Sequence, residues 1–140
     1  MRPQRFQDFA LDLAKNAPAA DIVTTLAEAG DTKHPFGLAV KLGGTEVQWQ
    51  VIAELAPGDK HSVPEAPVEG DPMAPIECPQ IAGSPSAADA ERWLASLLSS
   101  SGNRELCSLE LWSQRPDARP GHHGLTARFH SGAKIYVRSF

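Results

Sequence analysis

At 140 residues, 41% of them hydrophobic, the chain is long enough to bury a core without disulfide or metal support. Its two cysteines, Cys78 and Cys107, cannot build a disulfide framework, and a reducing compartment is the simpler interpretation. The opening residues carry aspartates inside their apolar pattern and no long hydrophobic run, which argues against a signal peptide and a membrane span. We therefore expect one soluble domain over residues 1–140, located in the cytoplasm.

The formal net charge of −4 conceals an uneven distribution. Residues 1–103 contain seven Lys or Arg against fourteen Asp or Glu, whereas residues 104–140 contain six against three. A basic region in an acidic protein can bind an anionic partner, but it can also complement acidic parts of the same molecule or of another subunit.

Two segments before residue 31 have apolar residues at helical spacing. From Phe6 to Ala17 the apolar residues follow the i, i+3, i+4, i+7 pattern, and Pro18 predicts the end of that helix. Residues 19–30 are ambiguous, because Ile22 and the apolar residues after it suit a helix while the β-branched run suits a strand. We favour a short helix there.

Residues 35–54 predict a β-hairpin whose register follows from a two-residue Gly43-Gly44 loop with both glycines at positive φ. This loop pairs Leu42 with Thr45, and the strands then sort into an apolar and a polar face. The apolar face holds Leu38, Val40, Leu42, Thr45, Val47, Trp49, Val51 and Ala53, and the polar face holds Lys41, Glu46, Gln48 and Gln50.

Residues 56–83 form a proline-rich segment, here called the arm, with no apolar periodicity. Such a long irregular segment in a small domain is typically a lid, a wrapping arm or a mobile linker. A mobile insertion without function is the alternative. Scattered apolar residues could anchor the arm across the sheet or on a neighbouring protein, and they are Val63, Val68, Met73, Ile76 and Ile81.

A second helix is predicted from Ser86, which serves as N-cap with Asp89 as its capping-box partner, and it ends before Gly102. Alternation in residues 105–113 predicts a strand that places Cys107 with two leucines on one face, as a small buried hydrophobe.

The last hairpin, residues 124–139, needs a three-residue loop with Gly132 in the left-handed conformation. This loop pairs Leu125 with Val137 and gives one fully apolar face, whereas a two-residue loop would scramble both faces. No internal repeat is visible in the sequence. The expected fold is α+β: about five mainly antiparallel strands, from two hairpins plus one strand, with two or three helices packed on one face.

Basic side chains with one interleaved aromatic lie on the other face of the last hairpin and in the loop before it. Such a combination suits phosphate contacts and base stacking, although it is more often a solvated face or a barrier against edge pairing. The candidate nucleic-acid-binding residues are Arg115, Arg119, Arg128, Lys134, Tyr136 and Arg138.

The histidines offer weaker hypotheses. His122 and His123 could bind a metal with His130 or Cys107, but adjacent histidines lack the usual ligand spacing, so we expect no metal and no cofactor. A nuclease could use His122, His130 and Lys134, yet no nucleophile elbow, phosphate loop or paired carboxylates accompany them, and we assign no catalytic residue.

Four short motifs resemble those of short uncharacterised proteins from high-GC actinobacteria and their phages and mobile elements: Phe36–Gly37, Trp49–Gln50, Gly124–Thr126 and Phe129–Gly132. The resemblance covers scattered positions and implies no activity. It implies a setting in which such proteins are particle components, accessory factors or small regulators, and a phage-like particle is then the alternative location.

The leading functional hypothesis is a non-enzymatic interaction or assembly module that binds another protein or its own copies through its sheet edges, its arm or both. The second hypothesis is a nucleic-acid-binding accessory protein, and the third is a small hydrolase or nuclease.

Overall fold

Six antiparallel strands form one sheet, and two helices pack against one of its faces. The computed structural model describes residues 1–140. The α+β class and the antiparallel sheet are confirmed, with one strand more than predicted. In chain order the elements are α1 (Pro3–Lys15), β1 (Ala20–Thr25), β2 (Gly37–Leu42), β3 (Thr45–Glu54), α2 (Ala87–Ser99), β4 (Leu106–Leu111), a short 3-10 turn (Trp112–Gln114), β5 (Gly124–Phe129) and β6 (Lys134–Ser139). The strands lie in the sheet in the order β1-β2-β3-β6-β5-β4.

The additional strand is β1, so the prediction of a short helix over residues 19–30 is wrong. Residues 20–25 pair with β2 at the edge of the sheet, with Val23 opposite Val40. The β-branched run fits a pleated surface, and the backbone groups of β2 supply its hydrogen-bond partners. Leu26 follows the strand and is buried.

The first hairpin has the predicted register, with Leu42 opposite Thr45 and Val40 opposite Val47. Its turn differs in one respect, because only Gly43 has a positive φ (56°). The far end of the arm contacts this turn: the Gly44 N–H donates to the Gly83 carbonyl at 2.9 Å, and a side chain at Gly43 would overlap that carbonyl. The turn therefore also anchors the arm.

The second hairpin is confirmed with its three-residue loop. Gly132 has φ 93°, and the Phe129 N–H donates to the Ala133 carbonyl at 3.0 Å. Leu125 lies opposite Val137, as predicted, so the apolar face of this hairpin joins the core.

Cys107 is exposed, so its predicted burial is wrong. The register of β4 against β5 shifts between Leu106 and Ser108, which is a β-bulge. A bulge adds one residue to a strand and reverses the alternation before it. Leu106 is consequently buried in the core together with Leu111, and Cys107 is the extra residue.

Both helices bury apolar side chains against the same face of the sheet. Helix α1 starts with Pro3 and ends at its C-cap Asn16, and α2 has the predicted capping box between Ser86 and Asp89. At the centre of the core the rings of Trp49 and Trp93 stack with centroids 6.3 Å apart. The apolar stripes of the two helices thus close a single core.

The two halves of the chain have the same order, one helix followed by three meandering strands, although the sequence shows no repeat. In the first half, the buried Gln7 of α1 accepts the Gly37 N–H with Oε1 at 2.9 Å. In the second half, the buried Glu91 of α2 accepts the Gly124 N–H with Oε1 at 2.9 Å. Gln7 and Glu91 occupy the same position in their helices, the fifth residue.

The two glycines are required by close packing. A side chain at Gly37 would overlap the Trp49 carbonyl and the Leu26 side chain, and one at Gly124 would overlap the corresponding groups of Val137 and Trp112. Because Leu26 and Trp112 each directly follow the first strand of their half, the halves are related by a pseudo-two-fold axis. The axis passes through the central strand pair β3–β6.

We expect Glu91→Ala to destabilise the fold because it removes the acceptor of the Gly124 and Ser113 N–H groups and of the Ser113 hydroxyl. Orphaned buried donors cost about 1–3 kcal/mol each. Glu91→Gln should cost clearly less, because an amide oxygen can accept the glycine N–H as Gln7 does. Urea unfolding measures the free energy of unfolding of both Glu91 variants, and a substitution at an exposed position, Gln114→Ala, is the control. Equal losses of unfolding free energy in the Ala and Gln variants would contradict the role of Glu91 as a buried hydrogen-bond acceptor.

Candidate functional site

The face of the sheet opposite the helices, here called the outer face, is the candidate site. The helices pack on the other face, and alternation directs the remaining strand residues outward. The outward residues of the central strands are mixed polar, charged and apolar: Glu46, Gln48, Gln50, Ile52 and Glu54 on β3, Lys134, Tyr136 and Arg138 on β6, and Thr126 and Arg128 on β5.

Three predicted cations lie together on the outer face and are here called the basic patch: Arg128, Lys134 and Arg138. Arg128 is the cross-strand partner of Lys134, and Arg138 lies on the same strand two residues beyond Tyr136. None of the three takes part in a salt bridge within the chain. Their charges are therefore available to an anionic partner.

The predicted aromatic, Tyr136, lies among these cations but is hydrogen-bonded to a carboxylate. Its hydroxyl donates to Oε2 of Glu54 at 2.8 Å. This hydrogen bond is the main reason why the pKa of Tyr136 is raised, while the positive charge of Arg128 opposes the shift. Glu54 also lies opposite Lys134, so a negative charge is placed inside the basic region.

Arg115 and Arg119 belong to the loop before β5, and Arg115 reaches the outer face, where its Nη2 donates to Oγ1 of Thr126 at 3.4 Å. Arg115 forms an ion pair with Glu110 at 2.6 Å and lies over the Trp112 ring at 5.1 Å. His122 stacks on the same indole at 4.8 Å. Arg119 is exposed in this loop, which contains a cleft of about 250 Å³. The structure thus brings five of the six predicted nucleic-acid-binding residues to the outer face, with the charge of Arg115 paired to Glu110.

The near part of the arm is held by the start of α1. The Arg2 guanidinium donates to Oδ1 of Asp59 at 2.8 Å and to the carbonyls of Lys60 and Val63. Arg5 pairs with Glu65 of the arm and with Glu105 at 2.6 Å.

The remainder of the arm follows the protein's own surface. The Gly70 N–H donates to the Arg104 carbonyl at 2.8 Å, and the Ile76 N–H donates to Oγ of Ser99 at 2.8 Å. Met73, Ile76 and Ile81 pack against the core, whereas Val63 and Val68 are 47% exposed. Three of the five apolar residues that were predicted to anchor the arm therefore pack against the core of their own chain.

Both edge strands carry a β-bulge. In β1 the register shifts between Ala20 and Ile22, and in β4 it shifts between Leu106 and Ser108. A bulge twists an edge and disrupts the regular ladder that another strand would join. The edges are consequently less suited to strand addition than a straight edge would be.

The histidines do not come together. His122 and His130 flank β5 at opposite ends, a separation of more than about 20 Å along the strand. His130 instead lies against Gly70 of the arm, with Nε2 3.0 Å from the Asp71 carbonyl oxygen. No group of three or more His, Cys, Asp or Glu side chains is placed to hold a metal ion.

Three exposed apolar residues on the outer face were not predicted as site residues: Ile22 on β1, opposite Lys41, together with Ile52 and Phe140. Ile52 interrupts the polar alternation of β3 between Gln50 and Glu54, which is a signal visible in the sequence. Phe140 follows β6, and its N–H donates to the Gln48 carbonyl at 3.2 Å. Its position depends on the β3–β6 pairing, which the sequence does not reveal.

No protein-family model, no curated protein and no solved structure matches this chain. Neither helix has the length and apolar composition needed to cross a bilayer. Function is therefore inferred from the geometry of the chain itself.

Tyr136 is the only tyrosine, so the ultraviolet absorbance of tyrosinate reports on the outer face alone. We expect its pKa to lie above the ordinary value of 10.0, with the neutral phenol favoured in the fold and this contribution lost at higher pH. Glu54→Ala should lower the pKa of Tyr136, and Arg128→Ala should raise it further. Glu46→Ala is the control, and an unchanged pKa in Glu54→Ala would contradict the contact.

We expect Arg2→Ala to release the near part of the arm and to speed tryptic cleavage after Lys60, which lies between its anchors. The exposed Gln4→Ala on the same helix is the control. Arg2 lowers the pKa of Asp59, so this contact is fully present above the ordinary carboxyl pKa of 3.8 and is lost as the pH falls below it. Equal cleavage rates in both variants would contradict the anchoring role.

Proposed function

We propose that the protein is a non-enzymatic protein-binding module whose outer face binds an acidic segment of a partner protein. The observation that carries the proposal is the basic patch, three cations without an ion-pair partner on a sheet face that no helix covers. Exposed charges of one sign, grouped on one surface, favour a partner of the opposite sign and speed its association.

The arm and the two edges of the sheet are less suited than the outer face to bind a partner. The arm makes most of its contacts with its own chain, through α1, the Ser99 hydroxyl and the Gly43-Gly44 turn. The bulges in β1 and β4 disfavour the addition of another strand. The outer face remains available except at Thr126, which is buried under the Trp112 indole.

A protein fits this face better than a nucleic acid does. The unpaired cations of the outer face, the basic patch and Lys41, would contact few phosphates, and the salt dependence of nucleic-acid binding scales with that number at a slope of about −0.9 per contact. Glu46 and Glu54 lie on the same face and would repel a continuous phosphate backbone. A protein segment can place neutral or basic residues opposite Glu46 and Glu54.

The test uses a glutamate-rich peptide and a single-stranded DNA oligonucleotide of similar charge as probes. We expect the peptide to bind at low salt, and the triple variant Arg128→Ala, Lys134→Ala and Arg138→Ala to weaken binding by about tenfold or more, because it removes the three charges of the basic patch. The control variant removes three exposed cations elsewhere, Lys15, Lys60 and Arg104, and should bind as the wild type does.

Several outcomes would overturn the proposal. Equal loss in both variants would show that only total charge matters. Binding of the oligonucleotide without the peptide would favour nucleic-acid binding instead. Light scattering of the same samples completes the test, because a stable dimer that Ile52→Asp dissociates would assign the outer face to a second copy of this chain.

A further inference from the structure

The pseudo-two-fold axis relates two exposed apolar side chains on the outer face. Ile52 on β3 and Phe140 after β6 are 43% and 53% exposed, and they occupy equivalent positions in the two halves. Ile52 lies opposite Tyr136, and Phe140 continues the same ladder opposite Gln48. The same relation matches Lys41 with Arg128, so each half carries a cation next to the anchor row.

The distance between the two anchors follows from sheet geometry. They are separated by four residues along β6, from Tyr136 to Phe140, and by one strand spacing, which gives about 14 Å. The Phe140 ring is held by His34, with ring centroids 4.6 Å apart, and His34 is itself held by Asp31 at 2.7 Å. Phe140 is therefore fixed in place although it is exposed.

A segment that binds the face of a sheet finds no backbone groups there, because the strands already use theirs in the ladder. It must satisfy its own backbone hydrogen bonds, and an α-helix does so internally. Helices α1 and α2 bind the opposite face in this way. An extended segment would need a free edge, and both edges carry a bulge.

We propose that the partner segment is an acidic amphipathic helix, whose apolar side chains contact Ile52 and Phe140 while its carboxylates face the basic patch. This inference rests on the proposed function and specifies the partner. At 1.5 Å per residue, side chains about seven to eleven positions apart on one helix face span the distance between the anchors. A second copy of this chain is disfavoured, because two basic patches would meet.

The probes are two synthetic peptides of identical composition, made of Glu, Leu, Ala and Gln. One has its leucines at i, i+4, i+7 and i+11, and the other is scrambled so that no apolar stripe forms. We expect the amphipathic peptide to bind more tightly and to gain helical circular dichroism on binding. Binding without a gain in helicity would overturn the inference.

The variant Ile52→Ser with Phe140→Ser removes both anchors from exposed positions. We expect it to weaken the amphipathic peptide by about tenfold or more, as the loss of buried apolar contacts predicts, while leaving the scrambled peptide unaffected. The control is Val63→Ser with Val68→Ser, two valines of the arm that are similarly exposed. A loss in this control would instead assign binding to the arm.

The two proposals fail in different ways. If the anchor variant binds the amphipathic peptide as the wild type does, while neutralising the basic patch abolishes binding, the helix inference is wrong and the protein-binding proposal stands. If neither peptide binds at low salt, both are overturned. If the anchor variant and the basic-patch variant both weaken the amphipathic peptide, the inference is supported.

Discussion

The antiparallel pairing of β3 with β6 is the interaction on which the architecture depends. Each half of the chain is a helix and a three-stranded meander, and only this central pair joins the two meanders into one six-stranded sheet. Joined in this way, α1 and α2 lie on the same face and share one core, centred on Trp49 and Trp93. In each half a buried polar side chain, Gln7 or Glu91, holds the helix to the first glycine of the middle strand.

The same topology explains the arm. The chain leaves β3 at Glu54 and enters α2 at Ala87, so it must travel around the helical layer before the second half begins. Proline-rich sequence suits such a path, because it stays extended without a regular hydrogen-bond ladder. Single anchors at intervals, including Arg2 and Ser99, hold the arm to the body. The arm is thus a long connection that becomes part of the surface of its own domain.

A two-layer arrangement leaves the central strands β3 and β6 without a helix over their other face, and this constraint directs the functional proposals. The anchors Ile52 and Phe140 lie on that face on either side of the pseudo-two-fold axis, and the basic patch lies on the β5–β6 side. Tyr136 and Glu54 place a hydrogen-bonded pair between the cations, which favours a partner with discrete charges over a uniform polyanion. The positive charge of this face, its exposed apolar side chains and the fully hydrogen-bonded strand backbones are the three reasons for proposing an acidic helix as the partner.

The sequence by itself determined the local structure: the registers of both hairpins, the three-residue loop closed by Gly132, the capping box of α2 and the grouping of Arg128, Lys134 and Arg138. Turn chemistry, capping and alternation act between residues close in the chain, so they can be deduced without the fold. Only the tertiary structure decided that residues 20–25 are a strand, that a bulge exposes Cys107, that the arm binds its own body, and that Phe140 is placed symmetrically to Ile52. Each of these depends on contacts with residues elsewhere in the chain, and local propensity does not decide them: the segment with the β-branched run before residue 26 suited a strand and a helix alike.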